Sequence, residues 1–258
     1  MSAELRSRII SALILTALAV AAVSAGGWIT TIWVAAAVGF MAWELSQLVT
    51  AERSDLPFRM TAAASAALPA FGSGFGLLVG ILLLPASLLL FFSVRNPIVP
   101  IGAFLLAACG LFFVWFRGLP DGLLIAFWVP IITAFTDMGG YFIGKRYGRR
   151  KLAPSISPKK TVEGAIGGIA AAVIAALLFS LITGGSLSLV FLAIVTGIAV
   201  QFGDLLASWV KRKTGVKDSG KLLPGHGGLI DRFDGLAGAT LFVGLLLLLI
   251  PALRGLWG

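Results

Sequence analysis

The sequence predicts an all-α integral membrane protein, a polytopic bundle of helices. Of its 258 residues, 59% are hydrophobic and only 12% are charged. A soluble domain usually has about a quarter of its residues charged, and one core in water could not bury this much apolar surface. The apolar residues also occur in runs that approach the length of a membrane span, which is about 20 residues. We therefore expect a single polytopic domain over residues 1–258.

The apolar runs predict about nine membrane spans. Their ranges are 8–25, 28–44, 60–73, 75–94, 98–116, 121–143, 164–184, 187–205 and 234–253. The first run follows Arg6 and Arg8 and is also typical of a cleaved signal peptide, although we favour an uncleaved span. The third and fourth runs are also compatible with one bent or re-entrant unit around Gly72.

Basic residues are distributed unevenly between the predicted loops. If the N-terminus is cytoplasmic, 18 of the 20 Lys and Arg lie in cytoplasmic segments, and only Arg117 and Arg254 lie on the other side. Membrane proteins retain positive charge on the cytoplasmic side, so this pattern predicts a cytoplasmic N-terminus. It also places both long charged loops, 144–163 and 206–233, in the cytoplasm. These loops and anionic lipid account for the net charge of +9, and nucleic acid is not an expected partner.

Carboxylates are rare within the predicted spans, and each one there is a candidate for function because burying charge in a membrane is costly. Asp137 lies near the cytoplasmic end of the sixth span. Its structural alternative is an ion pair with Lys145 or Arg146. Glu44 ends the second span, where it could either extend toward the headgroups or face the helix bundle.

The loop before the seventh span is rich in groups that bind phosphate. Pro154 and Pro158 restrict its backbone, and the N-terminus of the following helix adds partial positive charge. Together they predict a site for a triphosphate or a lipid phosphate. The candidate side chains are those of Ser157, Lys159, Lys160 and Thr161. The alternative is a polybasic loop that contacts anionic headgroups.

Three further carboxylates flank the second charged loop. Asp204 lies deep in the apolar eighth span, while Asp231 and Asp234 lie three residues apart at the start of the ninth, and therefore on one helical face. Because Mg²⁺ takes oxygen ligands from few carboxylates together with water and phosphate, we infer a Mg²⁺ site held by Asp204 and Asp231 between the two helices. Pairing with Lys211 or Arg232 is the structural alternative.

The loop between these carboxylates carries a long motif. Residues 208–234 read SWVKRKTGVKDSGKLLPGHGGLIDRFD. The pattern is Ser-x-apolar-Lys-Arg, four residues, Lys-Asp, then Pro-x-His-Gly-Gly and Asp-Arg-apolar-Asp. This pattern resembles the signature of the phosphatidate cytidylyltransferases, or CDP-diacylglycerol synthases. Residues 151–161, with Lys-Leu-Ala-Pro followed by Ser-Pro-x-Lys-Thr, resemble the same family, and the resemblance extends over about residues 130–238.

The resemblance implies an enzyme that transfers CMP from CTP to phosphatidate, with N-terminal helices in 1–120 and catalytic helices and loops in 121–258. It implies Mg²⁺ and leaves room for a second, monovalent cation such as K⁺. The candidate metal ligands are Asp204, Asp231 and Asp137. The candidate catalytic residues are Asp204, Asp231, Lys211, Arg212, Lys217, Asp218, His226, Arg232 and Asp234. The candidate substrate-binding residues are Ser157, Lys159, Lys160, Thr161, Ser208, Ser219, Gly227 and Gly228.

Two of these residues, His226 and Asp218, are interpreted separately. His226 is expected to donate a hydrogen bond to phosphate or to hold the loop, and not to act as a general base. The nucleophile implied by the resemblance is a phosphate monoester, whose second pKa of about 6 leaves it largely anionic at neutral pH. For Asp218, a local salt link with a neighbour such as Lys217 is as good an interpretation as a catalytic role.

Two rival functions use the same residues. One is a CTP-dependent transferase acting on another lipid phosphate or on an isoprenoid acceptor. The other is an ion-coupled transporter with intramembrane carboxylates, which the sequence disfavours because no inverted repeat is visible. The preferred interpretation is a multi-pass enzyme of the bacterial inner membrane. Its site would face the cytoplasm and its partners would be CTP and phosphatidate, and assembly as a homodimer stays open.

Overall fold

The computed structural model describes residues 3–49, 56–92, 96–216, 219–220 and 227–257. Within them the α-helices are α1 (Ala3–Ala25), α2 (Gly27–Val49), α3 (Leu56–Ser73), α4 (Leu77–Leu83), α5 (Ile98–Arg117), α6 (Gly122–Tyr147), α7 (Val162–Thr183), α8 (Ser188–Lys213) and α9 (Ile230–Leu249). Two 3₁₀ helices, Leu84–Phe92 and Pro251–Leu256, follow α4 and α9. Helices therefore form nearly all of the regular structure in the described residues.

Six of these helices are long and apolar enough to cross a membrane, namely α2, α5, α6, α7, α8 and α9. Their lengths range from 20 to 26 residues, which suits a hydrocarbon layer about 30 Å thick. The expectation of a helical, polytopic membrane protein is thereby confirmed. The number of about nine spans and the cytoplasmic N-terminus stay predictions.

Helices α3 and α4 form a tight helical hairpin. A Cβ atom added at Gly72 would lie 2.6 Å from Leu83 Cδ1, and one added at Gly80 would lie 2.9 Å from the carbonyl oxygen of Pro69. Only glycine allows the helices to approach this closely. The described segment is thus two packed helices joined by a short turn after Ser73.

One element departs from the all-α prediction. Strands β1 (Lys151–Ala153) and β2 (Ser157–Thr161) form an antiparallel hairpin between α6 and α7, with Lys151 opposite Thr161. Proline explains why this segment is not helical, since Pro154 and Pro158 each lack a backbone N–H and restrict the preceding residue. The predicted phosphate-binding loop is therefore a β-hairpin, and this part of the fold prediction is corrected.

The chain forms two compact units. The first consists of Met1–Gly118 with Lys213–Phe233, and the second of Leu119–Arg212 with Asp234–Gly258. In the first unit, α2, α3 and α5 pack on one another. Their shared core consists of small side chains, which permit close helix packing in membranes: Ala42, Ala62, Ala66, Val99, Ala103 and Ala107. The predicted functional division at residue 120 stays a prediction.

In the second unit, glycines bring α6 and α7 into backbone contact. A Cβ atom at Gly139 would lie 2.6 Å from the carbonyl oxygen of Gly167, and one at Gly164 would lie 2.8 Å from that of Gly140. Gly168 approaches Thr136 in the same way, with 2.7 Å between a Cβ atom there and the Thr136 carbonyl oxygen. Helix packing through small residues of this kind replaces the hydrophobic effect, which is absent between helices in lipid.

This contact predicts a difference between two neighbouring glycines of α6. Gly139→Ala is expected to destabilise the protein by about 1–3 kcal/mol, because the new methyl group overlaps α7. Gly140→Ala is the matched control. Its Cβ atom would lie 3.5 Å from the Gly164 carbonyl oxygen, an ordinary contact, and Ala favours helix by up to about 1 kcal/mol. Thermal unfolding of both variants in detergent measures the difference, and equal midpoints would contradict the close packing.

Candidate active site

In the second unit, Asp137 on α6, Asp204 on α8 and Asp234 on α9 lie at a similar height along their helices. A Cβ atom added at Gly235 on α9 would lie 3.0 Å from Val200 Cγ1 on α8 and 3.5 Å from Thr133 Cγ2 on α6. One helical turn beyond these contacts, on the same helix faces, lie Asp204 and Asp137. Asp234 is the residue before Gly235. All three aspartates interact electrostatically with one another.

Asp204 forms a salt bridge and a hydrogen bond with other side chains. Its Oδ2 forms a salt bridge with the Nζ of Lys160, and its Oδ1 lies 3.4 Å from the Oγ of Ser208, which donates to it. Lys160 also interacts electrostatically with Asp137 and Asp234. Lys160 thus acts on three carboxylates and Lys211 on one of them, which leaves surplus negative charge that is suited to binding a cation.

The β-hairpin lies along α8. The Lys160 side chain on β2 contacts Asp204, and in the turn before β2 the carbonyl oxygen of Ile156 accepts a hydrogen bond of 3.2 Å from Arg212 Nε. Asp204 and Arg212 are eight residues apart, or about 12 Å along a helix. The hairpin is therefore fixed beside the beginning of the signature motif, which in the structure is helical.

The hairpin is also fixed to the N-terminus of α7. Thr161 caps this helix, since its Oγ1 accepts a 3.1 Å hydrogen bond from Gly164 N. In the first turn, Glu163 Oε2 accepts from the backbone N–H groups of Arg149, at 2.9 Å, and Arg150, at 3.2 Å. Thr161 was predicted to bind substrate; its described role is that of an N-cap, worth about 1 kcal/mol in typical helices.

The first unit holds the other end of the motif. Asp231 lies in the first turn of α9, and its Oδ2 accepts hydrogen bonds from Ser219 N, at 2.8 Å, and Gly228 N, at 3.3 Å. Gly227 has a φ of 82°, a left-handed conformation that favours glycine. The carboxylate of Asp231 thus joins two residues of the loop, Ser219 and Gly228, that are nine residues apart.

A carboxylate from the N-terminal helices completes this loop. Glu44 on α2 is 2% exposed, and its Oε2 accepts from Ser219 Oγ, at 3.0 Å, and from Ile230 N, at 2.8 Å. The sequence allows Glu44 either to extend toward the headgroups or to face the bundle, and the structure shows it buried. Its involvement with the motif was missed, although a carboxylate within an apolar span was a signal that could have indicated it.

The predicted site residues divide between the two units. The second unit contains Asp137, Ser157, Lys159, Lys160, Thr161, Asp204, Ser208, Lys211, Arg212 and Asp234; the first contains Ser219, Gly227, Gly228, Asp231 and Arg232. Lys211 interacts electrostatically with Asp234, and Lys159 is exposed on β2. Lys217, Asp218 and His226 lie outside the described residues.

The donor set suits an open Mg²⁺ site better than an enclosed one. Among the described residues, no group of three or more His, Cys, Asp or Glu is close enough to hold a metal ion on protein ligands alone. Mg²⁺ does not require such a cage, because it keeps several waters and binds through one or two carboxylates and substrate phosphates. The aspartates around Lys160 supply oxygen ligands and negative charge, and they fit that requirement.

Comparison with known proteins agrees with the resemblance seen in the sequence. A family described as the cytidylyltransferase family matches residues 6–250. The phosphatidate cytidylyltransferase of Bacillus subtilis (strain 168) is 42% identical over 140 residues, covering 53% of this chain and 52% of the relative. That of Brucella suis biovar 1 (strain 1330) is 46% identical over 145 residues, covering 52% and 53%.

A third relative shows the same extent of similarity. The phosphatidate cytidylyltransferase of Haemophilus influenzae is 41% identical over 128 residues, covering 47% of this chain and 44% of the relative. The chain thus spans about half the length of the curated relatives it matches.

Proposed function

The chain belongs to the cytidylyltransferase family, and on that premise we propose that it transfers CMP from CTP to phosphatidate, producing CDP-diacylglycerol and pyrophosphate. The names of its relatives, at 41–46% identity, support this pair of substrates. The observation that carries the proposal is the group formed by Asp137, Asp204 and Asp234 around Lys160, beside the signature motif on α8.

The proposed reaction is a substitution at phosphorus. An anionic oxygen of the phosphatidate phosphate forms a bond to the α-phosphorus of CTP, while the bond from that phosphorus to the oxygen bridging to the β-phosphate breaks. Pyrophosphate leaves with the electron pair. Because the attacking phosphate is already largely ionised at neutral pH, the protein need not remove a proton. Its contribution is to position two phosphates and to neutralise their charge.

Basic residues of the hairpin and of α8 would neutralise that charge. Lys160 and Lys211 lie beside the aspartates, and Lys159 is exposed on the same strand as Lys160. A phosphate held at Asp204 by a metal ion would be within reach of Lys160, because the two side chains are in contact. Arg212 is fixed by Ile156, and we assign it, with Arg232, to the outer phosphates.

We assign Mg²⁺ to the aspartates. Asp204, with Asp137, would hold it in the second unit, and Mg²⁺ would supply positive charge to the phosphates of CTP and pyrophosphate. The role of Asp231 as a further ligand rests on the signature pattern. A second, monovalent cation such as K⁺ is part of this proposal and rests on the family resemblance alone.

The remaining predictions about placement belong to the same proposal. We propose one polytopic domain with about nine spans, a cytoplasmic N-terminus and a site facing the cytoplasm of a bacterial inner membrane. The uneven distribution of Lys and Arg supports this orientation. Such a site would receive a water-soluble nucleotide from one side and a lipid from the bilayer. A homodimer is compatible with it.

The deciding experiment measures pyrophosphate released by purified protein in detergent with CTP, Mg²⁺ and phosphatidate, each omitted in turn. Release that requires all three establishes the reaction. Release with an isoprenoid phosphate but not with phosphatidate would replace the proposed acceptor. Absence of release with every acceptor, from protein with a cooperative thermal transition, would overturn the proposal.

His226→Ala is expected to reduce turnover by about 10- to 100-fold, which is less than the loss of an aspartate ligand. The residue would contribute one hydrogen bond to phosphate or to the loop and would not act as the base. The pH profile of kcat is the informative measurement, since a base would introduce a limb that vanishes in the variant. A lost limb, or a defect equal to that of Asp204→Asn, would contradict the assigned role.

A further inference from the structure

Glu44 binds both ends of the described part of the signature loop. The hydroxyl of Ser219 and the backbone N–H of Ile230 both donate to the same oxygen, Oε2, at 3.0 and 2.8 Å. Glu44 is 175 residues from Ser219 and 186 residues from Ile230 along the chain. A carboxylate from the second helix thus joins Ser219, within the loop, to Ile230, where the loop ends and α9 begins.

The space around this carboxylate is shaped for it. A Cβ atom at Gly220 would overlap Glu44 Oε1, and a Cβ atom at Gly228 would overlap both Oε1 and the Oγ of Ser219. Glu44 and Ser219 are each 2% exposed. Glycine is therefore needed at both positions next to Glu44, whether or not Gly228 also binds substrate.

The contact reaches Asp231 through one intervening residue. Ser219 donates its hydroxyl to Glu44 and its backbone N–H to Asp231 Oδ2, the latter at 2.8 Å. Gly228, which packs against Glu44, donates its N–H to the same Asp231 oxygen at 3.3 Å. Displacement of Ser219 and Gly228 would therefore remove the two hydrogen bonds that orient the carboxylate of Asp231.

We propose that Glu44 is a positioning residue that sets the shape of the signature loop, and through Ser219 and Gly228 the orientation of Asp231. Its effect on turnover rests on the proposed function, whereas its effect on the loop does not. The proposal gives the N-terminal helices a part in the site, although every residue of the signature pattern lies in the second half of the chain.

Three substitutions distinguish hydrogen bonding from mere burial. Both bonds end on one oxygen, so Glu44→Gln can still accept them and is expected to stay within about fivefold of wild-type kcat. Glu44→Ala leaves the Ser219 hydroxyl and the Ile230 N–H without an acceptor, and kcat is expected to fall about 10- to 100-fold. Glu44→Asp, shorter by one methylene, is expected to lie between them. KM for CTP should change less than kcat.

Hydrogen exchange measures the loop directly. In Glu44→Ala, peptides with Ser219, Gly228 and Ile230 should exchange at least about tenfold faster, while those of α3 and α5 stay as in wild type. Ser65→Ala is the control. Ser65 is a buried hydroxyl of the same unit that donates within its own helix, to Ala62 O at 2.9 Å, and its loss should leave the loop unchanged.

The outcomes separate this inference from the proposed function. Wild-type exchange of the loop in Glu44→Ala, or a rise spread evenly over α2, α3 and α5, would overturn the positioning role. So would Glu44→Gln as impaired as Glu44→Ala. If the wild-type protein proves inactive with every acceptor, the proposed function fails but the exchange result still decides the role of Glu44. If Glu44→Ala does not fold, the other two variants decide the role of Glu44, because kcat should be higher for Glu44→Gln than for Glu44→Asp.

Discussion

Asp204→Asn is expected to lower pyrophosphate release by about 10³-fold, the range seen when charge stabilisation is removed from phosphoryl transfer. Asn has nearly the same volume and can still accept from Ser208, whose Oγ lies 3.4 Å from Asp204 Oδ1. What it loses is the negative charge that Lys160, Asp137 and Asp234 sense. The loss should therefore appear in kcat, with the thermal midpoint nearly unchanged.

The partner lysine provides the control for this prediction. If the salt bridge between Lys160 and Asp204 were only structural, the double variant Asp204→Asn with Lys160→Gln would recover activity, because neither charge would remain unpaired. If both groups act on phosphates and metal, the double variant should be no better than Asp204→Asn alone. Recovery to within about tenfold of wild type would contradict the assignment.

Asp231→Asn is expected to lower pyrophosphate release by a similar factor, also about 10³-fold. This substitution separates the charge of Asp231 from its hydrogen bonds. Asp231 Oδ2 accepts from Ser219 N and Gly228 N, and the carbonyl oxygen of Asn can accept both bonds. The loop should keep its shape while the charge is lost. Turnover should collapse, and hydrogen exchange at Ser219 and Gly228 should stay close to that of wild type.

Asp231→Ala is the matched comparison. It removes the acceptor as well as the charge, so turnover should be equally low while exchange at Ser219 and Gly228 rises. If Asp231→Asn retains at least about a tenth of wild-type turnover, the residue acts mainly on the loop, and the metal assignment of Asp231 is wrong.

The sequence predicts which segments are helical more reliably than where they end. The range 187–205 predicts the membrane-spanning part of the eighth helix, and α8 continues beyond it to Lys213, because Lys and Arg favour helix and interact well with its C-terminal carbonyls. The ninth was predicted to begin at 234, whereas α9 begins at Ile230 with Asp231 in its first turn, a position favourable for a carboxylate. Hydropathy does not reveal these polar extensions.

The candidate site was predictable to the extent that a carboxylate in an apolar span is unusual. That reasoning identified Asp137 and Asp204, which lie together in the structure with Asp234. It did not identify Lys160 as the partner of Asp204, because that contact depends on the β-hairpin. A basic loop with prolines lacks the alternation of apolar and polar residues by which strands are recognised. The same reasoning marks Glu44 as unusual but does not identify its partners, since no local pattern specifies a contact across 175 residues.

That separation along the chain has a consequence for biogenesis. At about 5–20 residues per second, a ribosome needs about 9–35 s to synthesise the 175 residues between Glu44 and Ser219. During this interval α2 has left the ribosome while its carboxylate lacks both hydrogen-bond donors. Until then the carboxyl group has to be hydrated, protonated or bonded to other groups, and we expect α2 to reach its final packing only after Ile230 has been synthesised. The N-terminal helices, which are synthesised first, would then be among the last to reach their final packing.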